Sequence, residues 1–209
     1  MNPANLGLVA MATVVAIAFR PWLALRAPAL RDPWMAALAL LPCLWAAQGM
    51  LPATIPLQLS GSCLLVLMFG WPLAVLTSLP VALAGAWLGG GDLARALELA
   101  AWNGAVPATA ALAVGIATRR WLPKHLFVYI LARGFLGTML AMSIAGLLRF
   151  WWSPPLSGSD TTTLLTAECL IAWGEAFATG ALTAIFVAFR PEWLLTYSDA
   201  RYLPRAADT

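Results

Sequence analysis

The chain has 209 residues, 62% of them hydrophobic and only 10% charged, with a formal net charge of +3. A soluble domain carries roughly a quarter charged residues, so this composition excludes an ordinary water-soluble fold and points to helices packed in lipid. The basic residues sit at the ends of apolar runs and form no patch, which argues against nucleic acid as a partner.

A membrane-crossing helix needs about 20 residues, and the apolar runs predict a polytopic all-α bundle of seven. The first span is 5–25. It lies in "MNPANLGLVAMATVVAIAF", whose first cation, Arg20, follows the apolar run, so it reads as a span and not as a cleavable signal peptide. The second is 33–50. A long apolar block from Pro56 to Gly90 is then interrupted by "FGWP" at 69–72. One helix cannot easily continue through Gly-Trp-Pro, so two spans joined by a tight turn are expected, 56–70 and 72–89. The remaining spans are 98–118, 124–150 and 162–189. No internal repeat, low-complexity tract or second domain stands out, so 1–209 reads as a single transmembrane domain.

Charge placement supports seven spans with the N-terminus outside and the C-terminus cytoplasmic. Arg20, Arg26, Arg31, Arg119, Arg120, Lys124, Arg190, Arg201 and Arg205 then lie inside, and only Arg95 and Arg149 outside. Six spans would scramble this bias. Most tryptophans fall near proposed span ends, where amphipathic rings favour the headgroup region; Trp45 and Trp173 are the exceptions. Gly85/Gly89 and Ala176/Gly180 have the small-xxx-small spacing that allows close helix contact. Cys43, Cys63 and Cys169 match no zinc or redox spacing and read as small buried hydrophobes.

Polar groups inside the spans carry the functional signal, because an ionised side chain at bilayer depth costs at least ~2.5 kcal/mol. Glu175 stands mid-span in "CLIAWGEAFATGALTAIF", and Glu168, seven residues earlier, shares its helical face. Arg133 in "ILARGFLG" is a candidate ion-pair partner. It lies roughly 13 Å from Lys124 at the inner edge, however, while Glu175 lies roughly 22 Å from Arg190, so the two depths differ. Gln48, Gln58, Ser60, Ser62 and Asn103 fall in the same outer half as Glu175. Together with the glutamates they form a candidate binding site open to the outside, or else a set of interhelical hydrogen bonds. His125, the one histidine, sits at the inner edge and reads as a solvated or helix-capping residue. There is no Ser-His-Asp set, HExxH or phosphate loop. Enzymatic activity is not expected, no cofactor is implied, and ATP-driven work would need another subunit.

Three stretches, "LQLSGSCLLVLMFGWPLAVL" (57–76), "LAAWNGAVPATAALAVGIATRRWLPKHLFVYI" (99–130) and "WGEAFATGALTAIFVAFRPEWL" (173–194), resemble the CbiM/NikM membrane proteins and their divergent proteobacterial relatives. The resemblance covers most of the chain from about Leu57 onward. It implies a seven-helix, N-out subunit in the bacterial inner membrane that captures cobalt or nickel for separate coupling-permease and ATPase subunits. In that family the ion is held by an N-terminal Met-His and a second histidine in an "H-L-x-G" stretch. Here the chain reads Met1-Asn2-Pro3 and "QLSG", placing Gln58 where that histidine would be. The nitrogen-rich site preferred by Ni²⁺ or Co²⁺ is therefore not built in the family's way, and the metal ligands are not fixed by the sequence. Glu175, Glu168, Asn103 and Gln58 remain as substrate-binding candidates. The other class of function is a non-transporting structural subunit of a larger membrane complex.

Overall fold

A computed structural model describes residues 3–50, 59–123, 125–152, 161–198 and 202. Among them there is no strand, and seven α-helical elements follow in order. They are α1 (Pro3–Ala18), α2 (Pro28–Met50), α3 (Ser62–Phe69), α4 (Trp71–Leu88), α5 (Leu93–Trp121), α6 (Leu126–Trp152) and α7 (Thr161–Phe189). Four of them, α4 to α7, are long and apolar enough to cross a membrane; α1 is apolar but has only 16 residues.

The Gly-Trp-Pro break is where the sequence puts it. Gly70 ends α3 with φ 78, a conformation costly for any residue with a Cβ. Trp71-Pro72 then opens α4, with proline in the first turn where its missing N–H is harmless. Other boundaries differ from expectation. The expected 5–25 span is cut at Ala18: Arg20 turns left-handed (φ 49), and Pro21 starts a separate 3-10 segment, Pro21–Arg26. Proline disfavours helix in the residue before it, which is why the apolar run does not continue. Residues 56–58 of the expected third span fall outside the described residues. What is described of that span is an eight-residue helix, about 12 Å long at helical rise, too short to cross alone.

That short helix is the centre of the bundle. Ser62, Cys63 and the run from Leu65 to Phe69 are all buried, as expected of a helix apolar all round. It touches α2, α4, α5, α6 and α7. A half-helix surrounded by apolar side chains needs partners for its orphan backbone groups. At its C-terminal end, the Met68 carbonyl accepts from Leu195 N–H at 2.9 Å, and the Leu67 carbonyl accepts the Thr196 hydroxyl at 2.7 Å. The segment after α7 therefore closes the bottom of α3. The top is closed at the site described below.

Small residues set the close approaches. A Cβ on Gly85 or Gly89 would meet the carbonyls of Pro42 and Ala46 at 3.3 Å, so α2 and α4 cross almost backbone to backbone. The α5 and α6 helices each contain a π-helical segment, Ala100–Ala105 and Tyr129–Phe135. Such segments re-aim side chains and free carbonyls, and frequently coincide with functional sites. His125 caps α6, its Nδ1 accepting from Phe127 N–H. The expectation that all three cysteines are buried needs correcting. Cys63 is buried, but Cys43 and Cys169 are exposed on the outer surface of the helices, where a thiol can lie against lipid as readily as against protein.

Candidate functional site

Glu175 projects from the middle of α7 into the bundle and is only 3% exposed. Its carboxylate meets the chain immediately before α3: Oε2 accepts from Ser60 N–H at 2.8 Å and Oε1 from Gly61 N–H at 2.6 Å. Gly61, the N-cap of α3, holds one of the donors that a helix N-terminus leaves unsatisfied, and Ser60 is the residue before it. Negative charge is favoured there by the backbone dipoles. The turn that presents both amides requires Gly61 in the left-handed region at φ 68. A Cβ at that position would also come within 2.7 Å of Leu41 Cδ2.

The same loop is tied on two further sides. Trp45 of α2, 1% exposed, donates its indole N–H to the Ser60 carbonyl at 2.9 Å. Ser60 Oγ donates to the Asn103 carbonyl at 2.6 Å and accepts from Ser62 N–H at 3.0 Å, while Ser62 Oγ also donates to the Asn103 carbonyl. That carbonyl is available for a sequence reason. The residue four positions later, whose N–H would close an α-helical turn on it, is Pro107, and proline has no N–H. The Ala100–Ala105 π segment sits over the same turn.

The structure thus brings together Glu175, Asn103, Ser60 and Ser62, as the depth argument expected, and adds Trp45 and Gly61. Trp45 had one visible signal, being a tryptophan away from any span end. The glycine had only its place in "LSGS". Asn103 takes part through its backbone carbonyl, whereas the sequence drew attention to its side chain. Gln58 lies outside the described residues. Glu168 is half-buried two turns away on α7, where its carboxylate lies against Gly146 of α6 and outside this junction.

Arg133 does not pair with Glu175. Both carboxylate oxygens are turned to the α3 amides, and the guanidinium instead lies over the Tyr129 ring, 5.3 Å from its centre. The offset in depth along α6 and α7 accounts for the separation. Glu98 does form ion pairs, accepting from Arg95 and from Arg149, each at 2.9 Å.

Chemically, the junction offers one carboxylate, one carbonyl, two hydroxyls and an indole N–H, with the hydrogen bonds of both glutamate oxygens directed to backbone. Among the described residues no group of three or more His, Cys, Asp or Glu side chains converges. An ion held at this junction would therefore meet hard oxygen donors, a set unlike the nitrogen-rich coordination that suits nickel or cobalt.

The family described as the cobalt uptake substrate-specific transmembrane region, CbiM, matches residues 2–193, a stretch that takes in all seven helices. The chain belongs to the CbiM family. It is accordingly a membrane transport component of the cobalt- and nickel-uptake type, and CbiM is not an enzyme family. No curated protein and no solved structure matches the chain. Within the CbiM match, the Glu175 junction joins α2, the α3 loop, α5 and α7, through residues from Trp45 to Glu175 of the matched stretch.

Proposed function

We propose that this chain is the substrate-capture component of an energy-coupling factor transporter for a transition metal ion or another small solute. On this reading it is one transmembrane domain over 1–209, crossing the bacterial inner membrane seven times with its N-terminus outside. A coupling permease and an ATPase would supply the energy, since the chain carries no nucleotide motif. The observation that carries the reading is the CbiM match over 2–193; the positive-inside bias supports the orientation. Glu175 and Asn103 are the proposed inner wall of the binding site, with Glu168 and Gln58 nearer the outside. Arg133 stays outside that site.

One observation favours a second reading. Because both Glu175 oxygens are spent on the α3 loop, the carboxylate holds the bundle together whether or not anything is transported. The alternative is therefore an accessory subunit that uses this bundle as a scaffold in a larger membrane complex. Cellular cobalt and nickel accumulation, measured with and without co-expressed coupling permease and ATPase, separates the two. Uptake that requires all three parts supports capture. No uptake, together with stoichiometric co-purification in another assembly, would replace it with the scaffold.

A further inference from the structure

We propose that the cavity between the C-terminal end of α5 and the N-terminal end of α6 is a phosphate-binding pocket, with Arg119 and Arg133 as its cationic ligands. This goes beyond the transport reading and does not depend on what the cargo is.

The cavity has a volume of about 210 Å³ and is lined by Thr118, Arg119, Leu122, Tyr129, Arg133 and Tyr202, among others. A water takes about 30 Å³, so there is room for a phosphate group and part of what it esterifies. Arg133 is the unusual member. Its Nε and Nη1 are buried and have no hydrogen-bond partner among the described residues, whereas Arg95, Arg149 and Arg190 each reach a carboxylate. Arg133 as a whole is only half-buried, and because its Nε and Nη1 are closed off it is the rest of the side chain that lines the cavity. A guanidinium has N–H donors and no acceptor, so what suits it there is an oxyanion. Glu175 cannot serve, because its oxygens are held by Ser60 and Gly61.

The surroundings are preformed. Arg133 belongs to the π segment Tyr129–Phe135, which sets it over the Tyr129 ring. That ring is fully buried against Tyr197 and Tyr202, with centroids 5.0 Å away in both cases. The Tyr129 hydroxyl is engaged with Thr196 at 2.8 Å, so the aromatic wall is fixed at both ends. Arg119, exposed at the last turn of α5, supplies a second cation at the mouth.

Charge placement sets this end of α5 and α6 at the cytoplasmic leaflet. The oxyanion most abundant there is the phosphate of phospholipid headgroups, and basic pockets between helices on this side are where anionic headgroups dock. Two planar guanidiniums suit a phosphate because each can present paired N–H donors to its oxygens. The phosphate could belong to an anionic lipid or be free in the cytoplasm.

The test uses the full-length, delipidated protein and the variants Arg133→Met, Arg133→Lys and Arg119→Gln. In one arm, native mass spectrometry follows titration with phosphatidylglycerol and with diacylglycerol, which lacks the phosphate. In the other, thermal unfolding is followed in inorganic phosphate against chloride at equal ionic strength. With a lipid source, wild type retains phosphatidylglycerol in preference to diacylglycerol, Arg133→Met weakens retention by about tenfold or more, and Arg133→Lys and Arg119→Gln fall between. With a free source, phosphate raises the melting temperature of wild type and not of Arg133→Met. If Arg133→Met fails to fold, Arg133→Lys and Arg119→Gln carry the comparison. Equal behaviour of wild type and the variants in both arms, or diacylglycerol bound as well as phosphatidylglycerol, would overturn the proposal. Arg133 would then be a packing residue on Tyr129.

Discussion

Glu175 and Gly61 are 114 residues apart in sequence and are joined by a 2.6 Å hydrogen bond at the top of α3. The neighbouring oxygen takes Ser60 N–H, so one side chain satisfies two backbone donors. Glu175→Gln looks conservative but is not. Its amide offers one oxygen and one NH₂ group, and the NH₂ would face a backbone N–H. We expect a loss of ~1–3 kcal/mol, the usual cost of stranding one buried donor, and a larger loss for Glu175→Ala, which strands both. Melting of the purified protein in detergent measures this. A Gln variant as stable as wild type would mean that the two amides do not need the carboxylate.

The second prediction concerns the turn beneath it. Gly61→Ala should destabilise by ~1–2 kcal/mol from the left-handed backbone alone, with a further cost because the new Cβ lands 2.7 Å from Leu41 Cδ2. Leu41→Ala in the same chain removes the contact and leaves the backbone cost. The double variant should therefore lose less than the two single losses added together. Strict additivity would show that Leu41 gives way freely and that only the backbone matters.

How much of this was legible in the sequence depends on the kind of bond. Glu175 was legible because a carboxylate in an apolar run is expensive and has to face something. The Gly-Trp-Pro break was legible because proline and glycine act locally. The partner of Glu175 was not. Charge suggested Arg133, whereas the structure uses uncharged amides of Ser60 and Gly61, and every residue carries such amides. Asn103 was found for its side chain, yet its carbonyl does the binding, exposed by Pro107 four residues later. The end of α1 was missed because hydropathy does not register that Arg20 precedes a proline. The eight-residue length of α3 was missed because burial on all sides and burial in lipid produce the same apolar run.

A third prediction tests the orientation. On the proposed orientation the inner loops collect Arg20, Arg26, Arg31, Arg119, Arg120 and Arg190, while Arg95 and Arg149, both paired with Glu98, lie outside. Reporter fusions should therefore place the loops around residues 20–31 and 119–125 in the cytoplasm, and the loop before α5 outside. Fusions that put the loop before α5 on the same side as residues 119–125 would remove the odd number of crossings between them and sink the seven-span reading.

The last prediction concerns the shared acceptor in α5. Ser60 and Ser62 both donate to the Asn103 carbonyl, and Ser60 Oγ also accepts from Ser62 N–H. Ser62→Ala removes one bond and should cost ~1 kcal/mol, whereas Ser60→Ala removes two and should cost ~2 kcal/mol. Because the two hydroxyls compete for one oxygen, each is worth more once the other is gone, and the double variant should lose more than the sum of the singles. Pro107→Ala provides the control. It restores an N–H four residues beyond Asn103, so the carbonyl gains a helical partner that does not depend on the α3 loop. In that background Ser62→Ala should cost less than in wild type, because the carbonyl then has a helical N–H as well as the Ser60 hydroxyl. All of these differences are read as shifts in unfolding free energy within one variant series. If Ser62→Ala costs the same with and without Pro107, the carbonyl freed by proline is not what holds the α3 loop against α5.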